Sequence, residues 1–595
     1  MKKTILALSV AGLALVGCCG DSQTVNKPAA APELYFAYPA DTPVMANGQQ
    51  LFTSTVPVSA PIFLRFTDRI TTPEDELANT LSLKDSQGNT IPLGAATLTA
   101  GDKGLAVRPL EPLSPRQVYT LTAHGLEVAG QAVTLTNDGI VFKTEPAAKG
   151  PLLSQAEDID FRIARFIPLD DDRYPATDLS VLRVQFTEPV KASTLVYGHT
   201  FSLRDSNGEL VPAEVYLRGH RLTIDPDDYL DPSQTYSIEV TDGIESEILG
   251  AKLTVPAEAP WTFQPLDTRS PNGERQFAAQ KAATNPGEVA LSGAEFNTVN
   301  LQSQLLGEEN PTTAGGVVFA ELGYIPKFER EGKSVPLAIS RGSLMTGSSV
   351  EVNVAGAVPA GFESDAVSVR FISDANGFLM PNPYTNAEDA PRLVELFIDM
   401  ALNTDNPTAN AAFAQQMLHV QLVGTAIVEN GTLTIEAVGV IEPDVMGVDK
   451  ASGLISFRLE GFRFEADAPT QEQFADQEAP FVKSWSPAAA EVDKLLPGDP
   501  LTVFFSEPLL PSTVTSSSVT LYPVDNPNEP TPVSLTLNGS ALSVAPHSPL
   551  EGGREYRLSL SGSITDIAGN ALAPTEKMFT RPRTNQDNPS NQSPV

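Results

Sequence analysis

Cysteine is nearly absent: Cys18 and Cys19, side by side near the N-terminus, are the only two in 595 residues. Adjacent cysteines rarely bridge each other, so no disulfide staples the body of the chain and each folded unit depends on its own apolar core. Histidine is scarce too. His124, His199, His220, His419 and His547 are too scattered for a local metal cluster and read as surface or sheet residues. Bases are outnumbered, 39 Lys and Arg against 73 Asp and Glu, for a net charge of −34. That balance excludes nucleic acid as a partner and adhesion to anionic lipid through a basic face. Gly-x-Ser-x-Gly, His-Glu-x-x-His, a Walker loop and Gly-x-Gly-x-x-Gly are all missing, so the common hydrolases, zinc proteases and nucleotide-binding enzymes lack their primary residues. No catalytic residue, metal ligand or cofactor is assigned. Two acidic stretches, LDDDRYPATD (Leu169–Asp178) and DPDDYLDP (Asp225–Pro232), could offer oxygens to calcium, although neither has EF-hand spacing.

What is present begins with an apolar run, Thr4–Val16, behind Lys2 and Lys3. It is too short for a permanent membrane span and has the shape of an export signal. The run closes on Leu15-Val16-Gly17-Cys18, which resembles the bacterial lipobox. The resemblance implies cleavage before Cys18 and acylation of that cysteine, a multi-chain anchor far stronger than one acyl group. Cys19 stands where an aspartate would favour retention in the inner membrane, so the expected location is the outer membrane, on either face. Residues 1–17 are then the signal peptide and 18–33 a tether.

Three stretches further on share one frame: PLEPLSPRQVY (Pro109, Leu113, Tyr119), PDDYLDPSQTY (Pro226, Leu230, Tyr236) and PHSPLEGGREY (Pro546, Leu550, Tyr556). Upstream of each proline, by 43, 40 and 41 residues, a strand-like run ends at Phe66, Phe186 or Phe505 before an acidic turn. After each tyrosine, apolar and polar residues alternate at once, as in YRLSLSGSI, the period of a strand with one buried face. Short strands spaced by turns over about 100 residues point to a β-sandwich. Phe505-Ser506-Glu507-Pro508, the last frame, and the turn at Asp566, Gly569 and Asn570 resemble the bacterial Ig-like domain of S-layer proteins and surface lipoproteins. The second copy keeps Phe186-Thr187-Glu188-Pro189, and the first has Asp68-Arg69 in place of Glu-Pro. In such a sandwich the proline fixes φ, the leucine plugs the end of the core, and the tyrosine hydroxyl caps a backbone group at a corner. The frame is therefore read as structural.

The stretch 269–477 lacks these marks. Its start, RSPNGERQFAAQKAATNPGEV, reads as a linker, and several strand-like runs follow. DAPRLVELFIDMAL has Asp389 as an N-cap, Pro391 in the first turn, and Leu393, Leu396, Phe397 and Met400 on one helical face, with Arg392, Glu395 and Asp399 on the other. Glu395 and Asp399 would be a carboxylate pair or, more simply, a solvated face. NPTANAAFAQQMLH suggests a second helix. Ile372–Asp389 between strands and helices reads as a long loop whose Phe378, Leu379, Met380 and Tyr384 either cap the sheet beneath the helices or, as candidate binding residues, meet a partner.

The expected fold is mainly β and multidomain. Ig-like sandwiches at 34–147, 148–268 and 478–583 flank a central β-rich domain at 269–477 with an inserted helical pair, and 584–595 forms a tail. The expected function is a non-enzymatic, lipid-anchored outer-membrane protein whose Ig-like units present a central domain to an unidentified protein or glycan, in adhesion, binding or structure. The alternatives are a stalked, glycan-active enzyme with its active site in the central domain and an accessory lipoprotein of a membrane assembly.

Overall fold

The computed structural model describes residues 31–583 apart from internal stretches, the longest being 146–159, 304–310 and 464–475. The signal peptide, Cys18 and the expected tail lie outside the described residues.

Three sandwiches repeat one strand order. In each, the first, second, fifth and fourth strands form one sheet, and the third, sixth and seventh form the other. In the third sandwich these are Val482–Ser486, Leu501–Phe505, Val519–Pro523, Val533–Asn538, Ala541–Pro546, Glu555–Leu560 and Thr575–Thr580. The second runs from Ile163–Ile167 to Trp261–Phe263, and the first, with short extra strands, from Leu34–Tyr38 to Ile140–Lys143. This is the order of an immunoglobulin constant domain. The sixth strands show why the sequence folds so: Tyr556, Leu558 and Leu560 are buried while the residues between them are not, and Tyr119, Leu121 and Ala123 repeat the pattern.

The repeated frames sit at the entry to these strands. The Tyr119, Tyr236 and Tyr556 hydroxyls accept from the backbone N–H of Ser114, Asp231 and Glu551, each at 2.9 Å. Their rings stack on Phe142, Phe263 and Phe579 at 5.8, 5.9 and 5.9 Å. Leu113, Leu230 and Leu550 are buried beneath. Each frame thus fixes the register of one strand and closes one end of one core.

Between the second and third sandwiches the chain forms an antiparallel ring. Its strands are β1 (Gln276–Ala282), β2 (Thr298–Gln302), β3 (Pro311–Leu322), β4 (Val335–Ile339), β5 (Leu344–Gly347), β6 (Val367–Phe371), β7 (Ala375–Met380), β8 (Arg392–Thr404), β9 (Gln415–Glu429), β10 (Thr432–Ile441) and β11 (Ser452–Arg463). Pairing runs β3–β1–β11–β10–β9–β8–β6–β5 and back to β3, with β2 continuing the position of β1 and the β7–β4 pair lying above β6–β5. Five long strands and three positions shared by two short ones give eight around the ring. An eight-stranded barrel has an interior just wide enough to fill with side chains or hold one small ligand. Helix α1 (Ile325–Arg330) follows β3 at one end, and α2 (Pro407–Phe413) joins β8 to β9 at the other.

Three expectations for this region are corrected. The first expected helix is strand β8, thirteen residues long and buried on both faces. Val394, Leu396, Ile398, Met400 and Leu402 join the barrel interior, whereas Leu393 and Phe397 join the core of the first sandwich. Apolar residues on two faces produced a spacing that mimics a helix, and ladder pairing overrode the helix propensity of Leu, Met and Glu. Of the helical pair only the second segment is helical, shortened to α2, where the Asn406 Oδ1 accepts from Thr408 and Ala409 N–H at 2.9 and 3.3 Å. The expected linker contains β1, which pairs with both β3 and β11 and closes the ring. Within the expected long loop, Ala375–Met380 is strand β7.

The sandwiches and barrel share packing. Phe36 and Phe63 of the first sandwich lie in one apolar cluster with Phe378, Met380, Phe397 and Val438 of the barrel wall. Tyr216 of the second meets Ile372, Ala401 and Leu418 of the barrel and Ile567 of the third.

Candidate functional site

The barrel interior is apolar along its length. Val318, Leu337, Phe371, Leu396, Ile398, Met400, Leu422, Ile435 and Ile455 form its cluster, with Phe328 of α1 at one end and Ala409 and Phe413 of α2 at the other. In the half under α2 a cavity of about 60 Å³ remains, lined by Leu301, Met345, Val369, Met400, Phe413, Met417 and Phe457 among others. The hydroxyls at its rim turn away: Thr312 donates to Ser348 O at 2.8 Å and Ser364 to Asp365 O at 2.8 Å. The cavity therefore offers only carbon and sulfur surface. Three methionines on its wall can repack around an entering group, since an unbranched thioether changes rotamer at little cost.

Outside the same wall lies a cleft of about 930 Å³ where all three sandwiches meet the barrel. Ion pairs mark its margin, with Arg221 bonded to Glu145 and Arg218 to Asp444 at 3.1 Å.

Glu395 and Asp399 sit on the outward face of β8, yet neither is solvated. The Glu395 oxygens accept from Arg173 at 2.8 Å and from Tyr174, both of the second sandwich. Asp399 accepts from Arg183 at 3.1 Å, Ser373 at 2.6 Å, Thr223 at 2.9 Å and the His419 N–H at 2.7 Å. Burial raises its carboxyl pKa, but Arg183, the Ser373 hydroxyl and the His419 backbone N–H outweigh that and hold it below the usual carboxylate range. Burial pushes His419 down to about 3, so its ring is neutral. These carboxylates are saturated by structural partners and anchor the second sandwich to the barrel.

A second acidic group was not legible in sequence because its members come from three places. Ligand-capable atoms of Asp476, Glu507 and Asp566 lie within 4.8 Å of one another. Arg370 of β6 enters the group, 2.7 Å from Asp476 and 3.2 Å from Glu507. Its guanidinium supplies the positive charge the carboxylates need. Burial, with the hydrogen bond to Asp476, pushes Glu507 up to about 8. In the acidic stretches read from sequence, Asp178 accepts from the Thr268 N–H at 3.2 Å, and Asp225 accepts from the Asp374 N–H at 3.2 Å and lies 3.6 Å from Arg341. Leu169–Asp172 lie outside the described residues.

Of the candidate binding residues, Phe378 and Met380 pack into the cluster shared with the first sandwich, Leu379 faces the barrel interior, and Tyr384 is partly buried against the shared cluster. Leu379 alone joins the lumen. Among the described residues no helix is long and apolar enough to cross a membrane.

Residues 159–264 and 476–580 match the bacterial Ig-like domain family. Both are bacterial Ig-like domains. The first sandwich lies outside those matches while having the same strand order. Alkane uptake protein B of Marinobacter nauticus is 32% identical over 608 aligned residues, which take in 96% of this chain and 55% of that protein. The chain thus spans about half the length of the curated relative it matches. Among solved structures, surface layer protein SbsC, domains 1–6, is 9% identical over 93% of this chain and 67% of that one, with a TM-score of 0.14. Escherichia coli alpha-2-macroglobulin is 8% identical over 91% and 49%, also at 0.14. Overlaps at that TM-score carry no argument about fold.

Proposed function

We propose that this chain is a non-enzymatic lipoprotein of the bacterial envelope that takes part in the uptake of hydrocarbons, holding an alkyl chain in the barrel lumen. The observation that carries the reading is the all-apolar cavity inside an eight-stranded barrel, walled by three methionines. The relative named as an alkane uptake protein supports it. In this reading the lipid on Cys18 tethers the chain to the outer membrane, the first sandwich is a third and diverged Ig-like copy, and the Ig-like domains brace the barrel. The ligand is apolar rather than the protein or glycan expected from sequence.

The size of the cavity sets a condition. At about 60 Å³ it is smaller than the roughly 150 Å³ cavity that admits benzene in an engineered protein. A chain of several methylenes enters only if Met345, Met400 and Met417 change rotamer. Equilibrium partition of radiolabelled n-dodecane onto the purified chain tests this. Saturable binding at one site is expected, and Val369→Phe, which puts a ring into the cavity, should weaken it at least about tenfold, equivalent to about 1.4 kcal/mol, without lowering the melting temperature. Unsaturable uptake, or uptake indifferent to Val369→Phe, would sink the lumen as the site.

A further inference from the structure

We infer that the interdomain cleft is the vestibule of the lumen, and that an alkyl chain passes between them sideways through an open seam in the barrel wall between β9 and β10; this rests on the lumen holding an alkyl chain.

The seam follows from the strand register. The β9–β10 ladder begins at Glu429↔Thr432 and stops at Val423↔Val438. Below that point each strand keeps its other neighbour: β9 stays paired with β8 down to Gln415, and β10 with β11 down to Ile441. The cause is local. Ile398 pairs with Val420 and Met400 with Met417, so Asp399 alone faces Leu418 and His419. His419 takes φ 55°, and the Asp399 carboxylate accepts its N–H at 2.7 Å. Such a bulge bends its strand, and here it separates the lower half of β9 from β10.

An edge left open in a wall must satisfy its backbone groups, and Ig-like domains do so here. Asn538 accepts from the Gln416 N–H at 2.8 Å, and Arg221 donates to Leu418 O at 2.7 Å. The seam is closed below by Gln415, whose amide donates to Asp444 O at 2.8 Å and accepts from the Asp444 N–H at 3.0 Å. A window therefore lies between 416–420 on one side and 440–443 on the other, bounded above where the Gly439 backbone lies against the Gln421 carbonyl and below by a side-chain bridge.

Met417 and Ile441 fill this window. Each lines both the lumen cavity and the outer cleft, so those two side chains are the partition between them. On the cleft side Val190, Leu217, Leu418 and Val440 continue the apolar surface, which fits a hydrocarbon chain. The neighbouring ends of the barrel are stoppered by Phe328 and by α2, and a side-chain rotation at Met417 requires less rearrangement than lifting a helix.

Stopped-flow quenching by 1-bromooctane of a Phe457→Trp reporter in the lumen, in the full chain, tests the route. Met417→Ala should speed both association and release by about tenfold, and Ile441→Phe should slow both by a similar factor, as a change of barrier height does. Asn406→Ala, which loosens the α2 stopper by removing its N-cap and does not line the cavity, should leave the rates within about twofold. Quenching with rates unmoved by Met417→Ala and Ile441→Phe, or accelerated by Asn406→Ala instead, overturns the lateral route while leaving lumen binding intact. A reporter that 1-bromooctane never quenches refutes lumen binding itself.

Discussion

Arg183→Met removes the one guanidinium bonded to Asp399 among the described residues. Arg183 is 2% exposed and Asp399 0%. The guanidinium bonds Asn376 and Asp399, with Ser373 at 3.3 Å and Asp374 O at 2.8 Å. Breaking a buried ion pair by deleting one partner costs about 3 to 5 kcal/mol, because the other charge stays buried without compensation. At about 2 °C per kcal/mol for a cooperative unit of some 250 residues, the melting temperature should fall about 6 to 10 °C. The pH dependence identifies the cause. In the parent chain Asp399 is held below its unfolded value, so its contribution is complete above about pH 5 and is lost as pH falls through the folded value. Without Arg183, burial dominates and raises the folded pKa above the unfolded one. Stability then declines as pH rises through the new folded value, and the deficit should be larger at pH 8 than at pH 5. Urea melts of both chains across that range measure it. Arg183→Met/Asp399→Asn should recover much of the loss. A deficit below about 1 kcal/mol, or one independent of pH, would refute the account of this joint.

Tyr556→Phe should cost the third sandwich about 1 kcal/mol, the hydroxyl bond to Glu551 N–H, and Tyr556→Ala about 3 kcal/mol; equal losses in denaturant melts would argue against the corner bond. Because Glu507 sits at about 8, the folded chain holds its proton where the unfolded one does not. Its contribution is full below the unfolded value near 4.3 and lost as pH rises through about 8, so Glu507→Gln should flatten that decline in melting temperature. Cys18→Ser should abolish labelling by palmitate and release the chain from membranes, whereas Cys19→Ser should do neither.

The sandwiches were legible because each is built within about 100 contiguous residues, and a buried tyrosine with a fixed offset to its proline leaves a mark that survives elsewhere in the unit. The barrel was not. Its wall under the sandwiches is buried on both faces, so β8 lost the period of two that betrays a strand, and Glu395 and Asp399 look solvated until Arg173 and Arg183 arrive from some 220 residues upstream. Strand β1 hid in a stretch of Arg, Gln and Lys because its pairing is set by β3 and β11 rather than by its own pattern. Phe378 and Met380 could not be assigned between core and binding site for a related reason, as the surface that covers them belongs to the first sandwich. The lumen and its window had no sequence signal, since Met417 and Ile441 acquire a role only when β9 bends at His419.

A crystal of the chain soaked with 1-bromooctane tests the central claim most directly, because bromine scatters anomalously and marks its own position. The account predicts a bromine peak inside the barrel among Met400, Met417 and Phe457, reduced in Val369→Phe. Peaks confined to the outer surface at saturating ligand, with the lumen empty, would contradict it.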